Sequence, residues 1–186
     1  MHSKPKARAY WGNLSTIPLH FQHNGLKSVL AHWHSFETRR SVINPTTNRN
    51  ASNPANAMLN YLYALLVAET RFGLLKRGFD PIAGIVHTDN QYRDSFAYDV
   101  MEAVRPEVDA WLLEHIQRHE FTKQDFYEKR DGGIRLTLKI TPVLGETISI
   151  WSENIETVIN HVEGILLNHE AIDQIRHHKK YRKKIN

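Results

Sequence analysis

The stretch NPANAMLNYLYALLVAETRFGLLKRG, residues 53–78, decides the fold class. Met58, Leu59, Leu62, Leu65, Leu66, Phe72 and Leu75 recur at the three- and four-residue steps of one helical face, so the spacing predicts a helix from Asn56 to about Arg77. Gly78 supplies the stop, because glycine adopts the left-handed backbone that ends a helix. Tyr61, Tyr63, Ala64, Val67 and Ala68 leave few polar positions before Glu69, which predicts burial on more than one side. A carboxylate in such a helix needs a partner. Asn53 and Asn56 stand where a short side-chain oxygen can accept an unmatched amide, and we read them as caps rather than substrate contacts.

Upstream, Asn44 to Pro54 mixes Asn, Thr, Ser and two prolines and reads as a loop. Downstream, Gly84-Ile85-Val86-His87 is a short apolar run that opens into a polar loop, Thr88 to Asp94. Ser95 then offers an N-cap for a second helix. That helix runs from Phe96 through Val104 and, with a break or kink at Pro106, continues through Val108, Trp111, Leu112 and Ile116. Thr122 to Phe126 resembles a capped short turn, and Asp131-Gly132-Gly133 is a tight turn between two short extended runs, a small hairpin. Thr141-Pro142 is a good helix start, followed by one long stripe from Val143, Leu144, Thr147 and Ile148 through Trp151, Ile155, Val158, Ile159, Val162 and Ile165 to Leu166. The expected architecture is mainly α with a minor β-hairpin: a single helical domain over residues 1–170, then a basic tail, 171–186.

Composition narrows the chemistry. With 186 residues, 41% of them hydrophobic, the chain can bury one sizeable core. No run approaches the ~18 apolar residues of a membrane span, and Met1 to Trp11 lacks the apolar core of a secretory signal, so a cytoplasmic protein without membrane contact is expected. The absence of cysteine excludes disulfides and thiolate metal sites. Any metal would be held by His, Asp, Glu or backbone oxygen, a donor set that suits Mg²⁺ or Mn²⁺. The net charge of +4 is concentrated at the ends. The first 36 residues hold no Asp or Glu but include Lys4, Lys6, Arg8 and Lys27, and the tail carries Arg176, Lys179, Lys180, Arg182, Lys183 and Lys184. Such ends suit a polyanionic partner, or are simply solvated.

One constellation could carry chemistry. Asp99 and Glu102 lie three residues apart on a helix and project from one face, and His87 precedes them across a single loop. One imidazole with two carboxylates can hold a divalent cation and leave water positions open, as phosphoryl transfer requires. Taken alone, the same pattern is as readily a solvated helix face and a structural histidine. Arg93 and Arg105 flank the carboxylate helix and either contact phosphates or form salt bridges to Asp94, Asp99 or Glu102. Trp33, Trp111 and Trp151 read as core. His32 with His34, and His115 with His119, could form an unrelated metal site or be scattered surface imidazoles.

The wording around these residues adds a resemblance. NPANAMLNYLYALLVAE (53–69), GFDPIAGIVHTD (78–89) and RDSFAYDVMEAVRP (93–106) closely resemble the CRISPR-associated adaptation endonuclease family, the integrase subunit called Cas one. FTKQDFYEKRDGGIRLT (121–137) looks like the family's continuation, so the resemblance covers Tyr10 to about Leu167. It implies a helical catalytic lobe of the CRISPR integrase type that cuts or joins DNA strands with a divalent metal, Mg²⁺ or Mn²⁺. By resemblance, His87 is the metal-binding histidine, Glu102 the acidic ligand and Asp99 its accompanying carboxylate. Arg93, Arg105, Lys179, Lys180, Arg182 and Lys183 are the expected DNA contacts. DNA is the implied partner, with a second copy in a homodimer and a second CRISPR adaptation subunit beside it. Glu69 is tempting as another ligand. In the family, however, the remaining ligand is a glutamate shortly before a Tyr-Trp or Tyr-Phe pair, and Tyr10-Trp11 places Ser3 near that position. Either the chain begins inside a longer gene, or one ligand is lost together with the family's N-terminal β-rich domain. The competing expectations are a catalytically degenerate DNA-binding or scaffold protein of the same fold and, less favoured, an unrelated histidine-carboxylate hydrolase.

Overall fold

Asn53 starts the central helix. Its Oδ1 accepts the Asn56 amide at 2.8 Å, and Pro54 occupies the first helical position, where its missing N–H costs nothing. The computed structural model describes residues 17–22, 29–36, 51–82 and 95–182, with side chains as far as residue 168. Helix α1 spans Pro54–Lys76 and ends as expected at Gly78, whose φ of 79° is the left-handed conformation that glycine tolerates. Helix α2 spans Ser95–Arg118 as one continuous element with Pro106 inside it, so the break considered at that proline does not occur. A proline in a helix interior costs about 3 kcal/mol or more. Val108, Leu112 and Ile116 bury the following turns, at about 1.5–3 kcal/mol for each such side chain, which exceeds that cost.

Beyond α2, strand β2 (Glu120–Phe121) pairs in parallel with β1 (His20–Phe21). A short 3₁₀ turn at Lys123–Asp125 follows, closed where the Thr122 amide donates to Asp125 Oδ2 at 2.6 Å. The expected hairpin is present: β3 (Phe126–Glu128) and β4 (Ile134–Leu136) run antiparallel, with Tyr127 opposite Arg135. At its tip Gly132 has φ 71°, and the Asp131 carboxylate accepts the Gly133 amide at 3.0 Å. Helix α3 is short, Thr141–Gly145, and α4 runs over Ile148–Arg182. The single stripe expected from Val143 to Leu166 is therefore interrupted. Thr147 Oγ1 donates to the Leu144 carbonyl at 2.6 Å, which closes α3 before α4 begins. The expected boundary between domain and tail, at residues 170 and 171, falls inside α4.

The chain divides into two compact units. In residues 1–66 with 105–148, Leu19, Trp33, Met58, Leu62, Ile116, Phe121 and Ile134 are at most 2% exposed. Phe21, Trp33, Phe121 and Phe126 pack tilted or edge to face, with centroids 5.6–6.2 Å apart. Trp111, expected in the core, is only half-buried. It stacks on His115 at 4.9 Å, and His115 stacks on His119 at 4.9 Å. Burial, and then the neighbouring His119, hold the His115 imidazole below its ordinary pKa.

In residues 67–104 with 149–186, the core is Leu74, Phe96, Ala97, Val100, Trp151, Ile155 and Ile159. Thr70, Gly73 and Leu74 take the inward positions of α1 here, so Phe72 and Leu75 of the sequence stripe face outward, 64% and 60% exposed. At Gly73 α1 and α4 approach tightly: a Cβ there would lie 2.8 Å from Ile159 Cδ1 and 3.6 Å from Ile155 Cγ2. Arg77 donates to Glu156 at 2.6 Å and Glu163 at 2.7 Å on the same face.

Two measurements check this packing. Gly73→Leu forces a large side chain between the helices and is expected to lower unfolding stability by about 1–3 kcal/mol in urea titration. In Gly73→Ala, the ~1 kcal/mol gain in helix propensity offsets the small shift of the flexible Ile159 methyl, leaving stability nearly unchanged. Equal stability for Gly73→Leu and the parent chain would refute the close approach. For His115 the folded state binds the proton more weakly than the unfolded chain, whose ordinary value is 6.5. Stability is therefore intact above that pH and is lost as pH falls through 6.5 toward the lower folded value. His115→Phe keeps a ring on Trp111 and should flatten the fall in stability between about pH 7.5 and 5.5. An unchanged slope would show that His115 does not contribute.

Candidate functional site

Helix α2 positions the two carboxylates. Its first turn is tied down where the Pro81 carbonyl accepts the Phe96 and Ala97 amides, at 3.0 and 3.1 Å, and the Phe79 ring packs edge-on against Phe96 at 5.8 Å. Residues 82 and 95, on either side of the segment that carries His87, are thereby held at the same helix end. Asp99 follows about one turn into α2 and is half-buried, and Glu102, one turn later, is exposed. Both are hard oxygen donors, of the kind that suits a divalent ion. Among the described residues, no three His, Asp or Glu side chains gather closely enough to hold a metal. His87 and Arg93 lie outside the described residues. Glu69 is part-buried, and its Oε1 accepts the Ser152 hydroxyl at 2.7 Å, the partner its setting in α1 requires.

Arg105 lies one further turn along α2, half-buried, with its guanidinium carbon 4.4 Å from the centroid of the Tyr63 ring. The Tyr63 phenol donates to Asp109, which is only 7% exposed. Burial raises the phenol pKa well above its ordinary value, and the Asp109 carboxylate adds to that rise while Arg105 opposes it. This Tyr63–Asp109–Arg105 arrangement was missed in the sequence. Its only trace was a charged pair, Arg105 and Asp109, spaced i,i+4 on a helix, together with a tyrosine in the otherwise apolar α1.

Of the expected basic contacts in the tail, Lys179, Lys180 and Arg182 fall within the backbone of α4, and Lys183 lies outside the described residues. Among the described residues, the remaining histidines do not converge on a metal site. His32 Nε2 pairs with Glu128 at 3.2 Å, and His34 Nδ1 lies 3.3 Å from the Leu19 carbonyl. The rings of His115 and His119 stack nearly parallel, 16° apart. Trp33 and Trp151 are core, each 2% exposed. Among the described residues, no helix is long and apolar enough to cross a membrane.

Comparison with known proteins places this arrangement. The family model described as CRISPR associated protein Cas1 matches residues 7–148, which include His87, Asp99, Glu102 and Arg105. A CRISPR-associated endonuclease Cas1 2 from Rhodospirillum rubrum is 34% identical over 108 residues, covering 58% of this chain and 30% of that protein. A CRISPR-associated endonuclease Cas1 1 from Archaeoglobus fulgidus is 33% identical over 127 residues, covering 67% of this chain and 32% of that protein. The matched stretch thus spans about a third of the length of these relatives. Two solved structures share the fold. A casposase bound to an integration product superposes with a TM-score of 0.60 over 69% of this chain and 41% of that chain, at 23% identity. A partial Cas6-RT-Cas1–Cas2 complex gives 0.64 over 89% of this chain and 48% of that chain, at 17% identity. With most of its length matched by the family model and its mainly helical fold shared with these neighbours, the chain belongs to the CRISPR-associated Cas1 family.

Proposed function

We propose that this chain is the helical catalytic lobe of a metal-dependent DNA endonuclease or integrase of the CRISPR adaptation type. The observation that carries the reading is the placement of Asp99 and Glu102 on one face of α2, on a helix tied at its start to Pro81 and lying inside the family match. Glu102 and His87 are the proposed metal ligands, and Asp99 the accompanying carboxylate. His87 is five residues from Ile82 and eight from Ser95, a chain length able to return its imidazole to the first turns of α2. A bound Mg²⁺ or Mn²⁺ would offset the charge of the phosphodiester and orient the attacking water or 3′-hydroxyl. Arg93 and Arg105 would hold the flanking phosphates. Arg105 is suited to this because Tyr63 holds its guanidinium plane in place. The basic residues Lys179, Lys180, Arg182 and Lys183 would add charge along the strand.

DNA is the proposed substrate, in keeping with the endonuclease names of the relatives. A second copy of the chain and a second adaptation subunit are the proposed protein partners; the neighbouring Cas6-RT-Cas1–Cas2 complex supports the latter. A second reading, a DNA-binding or scaffold protein without catalysis, is favoured by one observation: Ser3 stands near the position where the family resemblance puts a glutamate ligand ahead of Tyr10-Trp11.

Cleavage of branched and single-stranded DNA with Mn²⁺ separates the two. His87→Ala and Glu102→Ala are each expected to cut activity more than about a hundredfold, the upper end of what even an outer-shell partner of a metal is worth. Cleavage that survives both substitutions would overturn this assignment of the site. No cleavage by any of the three proteins, with DNA binding and folding intact, would establish the scaffold reading.

A further inference from the structure

A cleft of about 290 Å³ opens in the unit formed by residues 1–66 and 105–148, and none of its lining residues is a carboxylate of α2. Its floor is small and apolar, with Ala51 and Ala57 buried, and its polar lining is Asn60, Tyr61, Arg135 and Thr141, all half-buried. The walls are joined to each other. The Ile134 amide donates to the Ala51 carbonyl at 2.8 Å, which fixes strand β4 and the arginine on it against the start of α1. Tyr61 reaches the Thr141 carbonyl at 3.5 Å, the outer limit of a hydrogen bond.

Arg135 sets the chemistry of this cleft. A guanidinium has five donors. Here its only hydrogen bond among the described residues is a long one, 3.4 Å, to the carbonyl of its own neighbour Ile134, and no carboxylate among them lies within salt-bridge distance. Asp131 feels its charge without bonding to it. A half-buried cation left this way, in a cleft whose lining contains no Asp or Glu, is set up for an anion. The second cavity of this unit differs. It is about 340 Å³, beside His115 and His119, but its lining includes Glu120 and Asp125, and its lysine, Lys139, is spent on Asp125 at 3.5 Å and Thr122 at 2.8 Å.

We propose that the Arg135 cleft holds one nucleotide of a DNA strand, with its phosphate on the guanidinium fork and its sugar or base edge against Asn60, Tyr61 and Thr141. The choice of a DNA strand rests on the nucleic-acid reading above; the anion preference rests on Arg135 alone. The volume is at the lower end of ligand pockets, about 300 Å³, which fits a single nucleotide unit rather than a large cofactor. Arg135 acts in this proposal by binding the strand.

The test is the affinity of the full chain for a labelled oligothymidylate single strand in EDTA, read by fluorescence anisotropy across a salt series. Arg135→Ala should weaken binding about tenfold, and should make the slope of log K against log salt shallower by about 0.7, the signature of one lost single-strand phosphate contact. Arg135→Lys keeps the charge without the fork and should fall between the two. Arg130→Ala, at the exposed hairpin tip, should change affinity far less. Parent-like binding by Arg135→Ala, equal losses at positions 130 and 135, or no binding by the parent chain would each overturn the proposal. Displacement of the strand by free dTMP at low concentration, dependent on Arg135, would reassign the cleft to free nucleotides. Because the assay is metal-free, it fails independently of the nuclease reading: Arg135-dependent binding without cleavage sinks only the nuclease, and Glu102-dependent cleavage with normal Arg135→Ala binding sinks only the cleft.

Discussion

Asn53 is 3% exposed, and a buried amide must find partners for both of its ends or cost about 1–3 kcal/mol for each unsatisfied group. It finds them in two parts of the chain: Oδ1 accepts the Asn56 amide of α1, and Nδ2 donates to the Phe36 carbonyl at 3.2 Å. Two residues earlier, the Ala51 carbonyl takes the Ile134 amide of β4. The short buried segment 51–53 therefore fixes three things together: the start of the central helix, the chain at Phe36, and the hairpin. The hairpin strand that carries Arg135 is placed through the last of these bonds. The capping role expected for Asn53 understated it, because a cap satisfies one helix amide, whereas this side chain also spans to a distant carbonyl.

Buried and exposed charges in this protein follow different rules. Asp109 is nearly sealed from water and takes the Tyr63 phenol as a donor, so loss of that donor would leave a carboxylate under-solvated. Arg77, Glu156 and Glu163 form close ion pairs at a partly open surface, where screening by water keeps the contribution of each small. Asp99 and Glu102 owe their position to the helix itself, whose geometry sets them one turn apart whatever their own charge interactions.

The helices were legible because three- and four-residue spacing survives without tertiary information: Met58, Leu62 and Leu66 are all fully buried, and Trp151, Ile155 and Ile159 line α4 as expected. Where the reading went astray, packing had overridden pattern. Phe72 and Leu75 fit the period of α1, yet the inward positions went to Thr70, Gly73 and Leu74, because α4 comes close enough at Gly73 to leave no room for a large side chain. The pairing of His20–Phe21 with Glu120–Phe121 left no sequence signal, since two-residue strands show no alternation. Asp99 and Glu102 could be read from their spacing and from the family wording around them. The cleft could not, because its lining is drawn from residues 51 to 141 and only folding brings the five donors of Arg135 beside Tyr61 and Thr141.

The two charged features also make opposite demands on a DNA strand. A phosphate brought within about 4 Å of a carboxylate meets a repulsion of about 1 kcal/mol in bulk water, rising to about 4 kcal/mol at the effective dielectric near a protein surface. On the proposed reading, the carboxylates of a metal site oppose a strand until a cation offsets them, whereas Arg135 attracts it with no cofactor. On the proposed reading, a strand can be held at the arginine before the carboxylate site is charged for reaction, and the order of events follows from the sign of the charge at each place. A chain of this kind would separate holding DNA from cutting it by electrostatics alone, without needing a moving part to do so.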